Sequence, residues 1–144
     1  MTDIISAERR SALMSRIRGK DTRIEVEARR GLHKLGLRYR LGGAGLPGRP
    51  DIVLPKFRTA VFVHGCFWHG HTCHLFRLPK TRTEFWSAKI EANQARDRRN
   101  AEELRRIGWN VEVVWECELR GRNGEERARL MERLTQRIRS NMAI

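Results

Sequence analysis

Apolar residues recur at helical spacing in three stretches of the chain and crowd into short runs in the stretches between them. Ile24, Ala28, Leu32 and Leu35 stand three and four residues apart, which predicts an amphipathic helix over residues 22–35 closed by Gly36. Asp21 and Thr22 offer N-caps, and Thr22 with Glu25 has capping-box spacing. Residues 37–41 alternate apolar and basic side chains in the manner of a half-buried strand, and residues 42–49, with four glycines and Pro47, predict a loop. Ile52, Val53 and Leu54 form a second apolar run between Asp51 and Pro55, and a short turn leads into another strand at 60–63. Thr81 and Glu84 repeat the capping-box spacing ahead of a long helix ending near Ile107, with Phe85, Ile90, Ala101, Leu104 and Ile107 as its inward side chains and Gly108 as its stop. Its charged middle, residues 96–100, is expected to face solvent or phosphate. Residues 109–115 read as a strand that places Trp109 and Trp115 in the core and leads to Cys117. A last helix over 125–139 buries Leu130, Leu134 and Ile138. Strands interleaved with helices, without repeats or an interior linker, predict a single α/β domain with a mixed central sheet flanked by helices.

Charge narrows the partners. The 144 residues carry 30 Lys plus Arg against 17 Asp plus Glu, a formal charge of +13, which favours a polyanion. No stretch approaches the ~20 apolar residues of a membrane span and no apolar signal segment opens the chain, so nucleic acid in the cytoplasm is expected and a membrane is not. Residues 1–20, with Arg9, Arg10, Arg16, Arg18 and Lys20, read as a basic arm that orders on a phosphate backbone ahead of the main domain over 21–144. Three cysteines cannot close a disulfide set, which suits reduced, metal-bound or free thiols.

The candidate chemistry is concentrated between Ala60 and His74, AVFVHGCFWHGHTCH, which holds four of the five histidines and two of the three cysteines. Cys66, His71, Cys73 and Cys117 supply one imidazole and three thiols, the donor set of a closed Cys₃His structural Zn²⁺ site. His69 and His74 are alternatives to His71 as the imidazole ligand. Asp51, at the rim of a buried strand, is placed either to bind a metal or to cap its turn, and the short hairpin brings it near Val63 and His64. Phosphodiester hydrolysis needs an acidic Mg²⁺ ligand, a base for water and charge against the transition state, roles that Asp51, His69, His64 and Glu25 can fill. Phe67 and Trp68, consecutive in a polar loop, suit insertion into a base stack, which costs least at a weak pair.

A helix with Glu25, a loop, Pro50-Asp51 and a hairpin ending in Phe62-Val63-His64 is similar to the PD-(D/E)xK nuclease core, with the expected acid and lysine replaced by Phe62 and His64. With that replacement, LPGRPD at 46–51, HGCFWHGHTC at 64–73, TRTEFW at 81–86, RDRR at 96–99 and VWECELRGR at 114–122 closely resemble the very-short-patch-repair (Vsr) DNA mismatch endonucleases. The resemblance implies a restriction-endonuclease-like core with a structural zinc site, and a bacterial, nucleoid-associated hydrolase. Its expected reaction is to nick one strand beside the T of a T·G mismatch left by 5-methylcytosine deamination, initiating very short patch repair. It further implies Asp51 as the Mg²⁺-binding acid, His69 as general base, His64 and Glu25 as supporting residues, and Cys66, His71, Cys73 and Cys117 as zinc ligands. Phe67, Trp68 and Trp86 match the family's aromatic wedge, and Met14 an apolar residue of the arm. The family pattern carries Thr where this chain has Val63, so a magnesium contact there falls to the backbone carbonyl. Expected partners are double-stranded DNA with a T·G mismatch and mismatch-repair proteins such as MutL, the nuclease itself acting as a monomer. The competing expectations are a non-catalytic zinc-stabilised module that senses distorted duplex, and a related nuclease for ordinary duplex without the wedge.

Overall fold

A computed structural model describes residues 23–43, 45–74, 76–120 and 123–141. The basic arm with Met14, Arg16 and Arg18, and the caps Asp21 and Thr22, lie outside the described residues. Helix α1 (Arg23–Lys34) is followed by strands β1 (Arg40–Leu41), β2 (Ile52–Leu54) and β3 (Thr59–His64), with a single 3₁₀ turn at Pro55–Phe57 between the last two. Helix α2 (Thr83–Arg106), strand β4 (Asn110–Trp115), the short α3 (Glu116–Leu119) and α4 (Gly124–Ser140) complete the order. The strands form one sheet in the order β1-β2-β3-β4. β1 and β3 both run antiparallel to β2, whereas β3 and β4 are parallel, paired from Thr59↔Asn110 to His64↔Trp115. A parallel pair needs a crossover, and α2 provides it. The α/β, single-domain, mixed-sheet expectation is met.

Alternation along β3 decides where the function sits. Val61 and Val63 enter the core with Ile52, Leu54 and Val114, against Ala28 and Leu32 of α1 and Met131, Leu134 and Ile138 of α4. Because successive strand residues point to opposite faces, Phe62 and His64 turn the other way, into a cleft bounded by α2. One face of the sheet is thus sealed by apolar packing and the other is left for chemistry. Leu32, Leu54 and Ile138 are fully buried, so truncating any one to Ala is expected to cost about 2–5 kcal/mol.

Several expectations shift. The strand expected over 37–41 shrinks to two residues: Leu37 is buried but Leu41 is 49% exposed, and Gly42 turns the chain with φ 66°. Thr81 does not cap α2, because Arg82 at the cap position is left-handed, φ 54°, and the Thr83 hydroxyl instead donates to the Pro79 carbonyl at 2.8 Å. Phe85 and Ile107 are 45% and 46% exposed rather than inward, while Ile90 and Leu104 are buried as expected. Trp109 and Trp115 are half-buried, not core. The last helix is capped by Asn123, whose Oδ1 accepts from the Glu126 N–H at 2.8 Å, and it buries Met131 and Thr135 beside the expected Leu134 and Ile138.

Candidate active site

Side chains at the end of β3 and in the turn after it fall into two groups, each with a histidine ring against Trp115. The His71 ring stacks on Trp115 at 4.0 Å and 10°, while His64 meets the same indole edge-on at 5.1 Å and 74°. In the first group, one ligand atom from each of Cys66, His71, Cys73 and Cys117 lies within 4.8 Å of the others. His71 Nδ1 is 3.6 Å from Cys66 Sγ and 3.5 Å from Cys117 Sγ. A tetrahedral ion with sulfur at about 2.3 Å and nitrogen at about 2.0–2.1 Å requires S···N edges of about 3.5 Å, so these residues can hold a metal. Backbone bonds fix the cage: the Cys117 N–H donates to Cys66 Sγ at 3.3 Å, and the Cys66 N–H donates to Glu116 Oε1 at 3.2 Å. Burial pushes the Cys66 thiol up to about 12 and raises Cys117 as well. Without a cation the thiolates are strongly disfavoured.

In the second group, His64, His69 and Asp97 converge. His69 Nδ1 lies 2.6 Å from Asp97 Oδ2, a short hydrogen bond between ring nitrogen and carboxylate. The His64 and His69 rings are stacked at 3.7 Å and 3°. Burial, and then the neighbouring His69, lowers His64 to about 4, so its imidazole is neutral at physiological pH. Among the described residues nothing satisfies its buried Nδ1. Asp51 emerges from the loop before β2 and its Oδ2 accepts the Val63 N–H at 2.7 Å. Its pKa is raised to about 6, chiefly by burial, with the charge of Glu25 adding to the effect and the Val63 bond opposing it. Partial burial and a neighbouring carboxylate both favour a proton or a cation at Asp51.

These groups line a cleft of about 1480 Å³, larger than a small-molecule pocket. Arg96, Arg98 and Arg105 of α2 border it, and among the described residues none of the three has a carboxylate partner. Next to the cleft the aromatic residues interlock. Phe67 meets Trp68 at 5.2 Å and Trp86 at 5.6 Å, and Trp68 meets Trp86 at 5.9 Å, all tilted or edge-to-face. The three rings are only half-buried. The loop carrying them is tied to α2 by the Asn93 amide, which donates to the Trp68 carbonyl at 2.9 Å, and by the Gln94 amide, which donates to the Gly70 carbonyl at 3.2 Å.

The structure therefore brings together Asp51, Val63, His64, His69 and Glu25 at one cleft and Cys66, His71, Cys73 and Cys117 at one cage. Of the open imidazole alternatives, His71 joins the cage, His69 pairs with Asp97, and His74 is exposed. Sequence reasoning missed Asp97 by assigning residues 96–100 to a face against solvent or phosphate. A signal was present: Ile90, Asn93, Asp97, Asn100 and Leu104 fall at steps of three and four, and Asp97 is the one acid on that inward stripe. Trp115, read as core, is half-buried and contacts histidine rings of both groups.

Two comparisons bear on these residues. A family model described as DNA mismatch endonuclease Vsr matches residues 2–75. The chain is 56% identical over 119 residues to the type II nicking enzyme V.XorIIP of Xanthomonas oryzae pv. oryzae, covering 83% of this chain and 88% of that protein. It is 47% identical over 138 residues to the DNA mismatch endonuclease Vsr of Escherichia coli K12, covering 96% of this chain and 88% of that protein. A type II nicking enzyme of Neisseria meningitidis serogroup A, V.NmeAIP, is 48% identical over 122 residues, 85% of this chain and 87% of that one.

Proposed function

The chain belongs to the Vsr family of DNA mismatch endonucleases, and we propose that it nicks one strand of duplex DNA beside the T of a T·G mismatch left by 5-methylcytosine deamination. The observation that carries this reading is the His69–Asp97 pair at the same arginine-bordered cleft as the half-buried Asp51. Asp97 accepts from Nδ1 of His69 and so leaves Nε2 free to take a proton from an attacking water. Asp51, with the backbone carbonyl of Val63, is proposed to hold Mg²⁺. Residue N–H and C=O groups of a strand share an edge, and the Val63 N–H already points to Asp51. Bound there, Mg²⁺ supplies Lewis-acid stabilisation of charge on the phosphate and the leaving oxygen. Glu25 adds negative charge near Asp51 and so favours a divalent cation over none. His64, neutral and stacked on His69, orients the base rather than supplying charge.

Zn²⁺ is the ion proposed for the Cys66, His71, Cys73 and Cys117 cage, where the tetrahedral edge lengths and the thiol-rich donor set suit it. The half-buried Phe67, Trp68 and Trp86 are proposed as the wedge, held at the cage and fastened to α2, with one side of each ring left to stack on bases. Met14 from the arm complements it, and Arg16 and Arg18 contact phosphates. A restriction-endonuclease-like core is supported by the helix, antiparallel hairpin and parallel partner strand around Asp51. A T·G pair is asymmetric, which suits a monomer acting on chromosomal DNA in the bacterial cytoplasm.

The test uses otherwise identical duplexes carrying T·G or C·G at one site, each strand labelled in turn, with Mg²⁺ or EDTA. A Mg²⁺-dependent nick on the T strand of the T·G duplex alone is expected. Tight T·G binding without a nick by zinc-loaded protein would make the chain a distortion sensor. Equal cutting of both duplexes would make it a general nuclease.

A further inference from the structure

Among the described residues three that are not glycine take a left-handed backbone, and all three are arginines: Arg49 at φ 48°, Arg58 at φ 46° and Arg82 at φ 54°. A β-carbon makes that conformation costly, and it persists only where surrounding interactions over-determine it. For Arg58 the compensation lies within the chain. Its Nε and Nη2 donate to the carbonyls of Gly108 and Ile107 at 3.2 Å each, and its guanidinium lies 5.5 Å from the Trp109 ring. Arg82 likewise places its guanidinium over Phe85 at 4.2 Å. Arg49 is the exception. Its side chain is exposed on the cleft and makes no hydrogen bond, ion pair or ring contact among the described residues.

Its backbone is nevertheless locked. The Arg49 N–H donates to the Leu46 carbonyl at 3.1 Å, and the carbonyl of the fully buried Pro50 accepts from Gly43 at 3.3 Å. Gly48, itself left-handed at φ 78°, sits so close to Asn100 of α2 that an added Cβ would lie 2.9 Å from the Asn100 Cβ. The loop therefore holds a charged side chain on a strained backbone, two residues before Asp51, with nothing among the described residues to receive it. The side chains assigned to the proposed reaction are carboxylates and imidazoles, Asp51, Glu25, Asp97, His64 and His69, and the other arginines noted at the cleft, Arg96, Arg98 and Arg105, stand on α2.

We propose that Arg49 receives the non-bridging oxygens of the phosphate presented to Asp51 and His69, as the fixed cation of the reaction centre. A guanidinium fork matches two phosphate oxygens at once, and a charge positioned in advance acts most strongly where negative charge develops. This assignment rests on the nicking reading above and deepens it by naming the group that grips the scissile phosphate.

The experiment compares wild type, Arg49→Gly, Arg49→Gln and Arg49→Lys in single-turnover nicking of the T·G duplex with Mg²⁺, alongside duplex affinity and thermal unfolding. Glycine retains the left-handed backbone while removing the guanidinium, so Arg49→Gly separates the side chain from loop geometry. The expected result is a loss in nicking rate of roughly a hundredfold for the Gly and Gln variants, with duplex affinity changed about fivefold or less. The Lys variant falls between them and wild type. Arg49→Gly should melt within about 2 °C of wild type or above it. Wild-type nicking rates in Arg49→Gly overturn the inference, as does a rate loss accompanied by a clear drop in melting temperature, which would make Arg49 structural. If wild type itself does not nick, the failure belongs to the functional reading instead.

Discussion

The two side-chain groups that contact Trp115 are drawn from the same ten or so residues, yet they are finished in opposite ways. Cys66, His71 and Cys73 are closed by Cys117 from α3, and the four ligand atoms lie within 4.8 Å of one another. His64 and His69 form the second group and are met by Asp97 from α2, with the cleft left open beside them. A site whose donors are all turned inward is saturated by an ion and does no chemistry on a substrate, whereas one that keeps an open position can. One short stretch of chain thus carries both the cage and His69, the imidazole proposed as the base, so that the cage can set the position of that ring.

The sharpest way to break the contrast is to open the cage. Cys117→Ala removes the donor that joins the loop to α3, and it is expected to lose the bound metal and at least about 3 kcal/mol of stability, read by metal content and denaturant unfolding. Asp97→Asn acts on the second group only. It leaves metal content and melting unchanged but lowers single-turnover nicking by about 10²–10⁴-fold, because an amide does not hold His69 in the required tautomer and orientation.

A smaller effect appears in the pH dependence of stability without Mg²⁺. Asp51 is raised in the fold from 3.8 to about 6, so its contribution to stability falls as pH rises across that range. His64 is lowered from 6.5 to about 4, so its contribution is lost as pH falls across nearly the same range. The two trends oppose each other. Asp51→Asn removes one of them, and its stability should drop by about 2 kcal/mol between pH 6.5 and 4.5, more steeply than wild type, in urea titrations. At pH 7 the same variant should exceed wild type. Smallest is Gly70→Ala. With φ 61° and an added Cβ falling 2.4 Å from Gln94 Nε2, it should cost about 1–2 kcal/mol and loosen the wedge loop without releasing the cage metal.

The sequence made the cage and the Asp51–Val63 proximity legible because both arise locally, from a dense loop and a tight hairpin. The helices at 22–35 and 125–139 were equally plain, their apolar spacing uninterrupted. Asp97 was hidden because an acid among arginines reads as a face against solvent or phosphate, and only the three-and-four stripe from Ile90 to Leu104 distinguishes it. Trp115 was misplaced because strand alternation does not say which face is sealed by helices and which is kept for a site. Arg82 broke the capping box expected at Thr81 through its left-handed backbone, a conformation that an arginine codon gives no hint of.

The most direct test of the division between cage and reaction centre is Asp51→Ala, followed for zinc content, melting temperature, binding to the T·G duplex and nicking. The account predicts one retained zinc, a melting temperature at or above that of wild type, preserved binding and nicking reduced by about a thousandfold or more. Nicking near the wild-type rate, or loss of zinc together with activity, would contradict it.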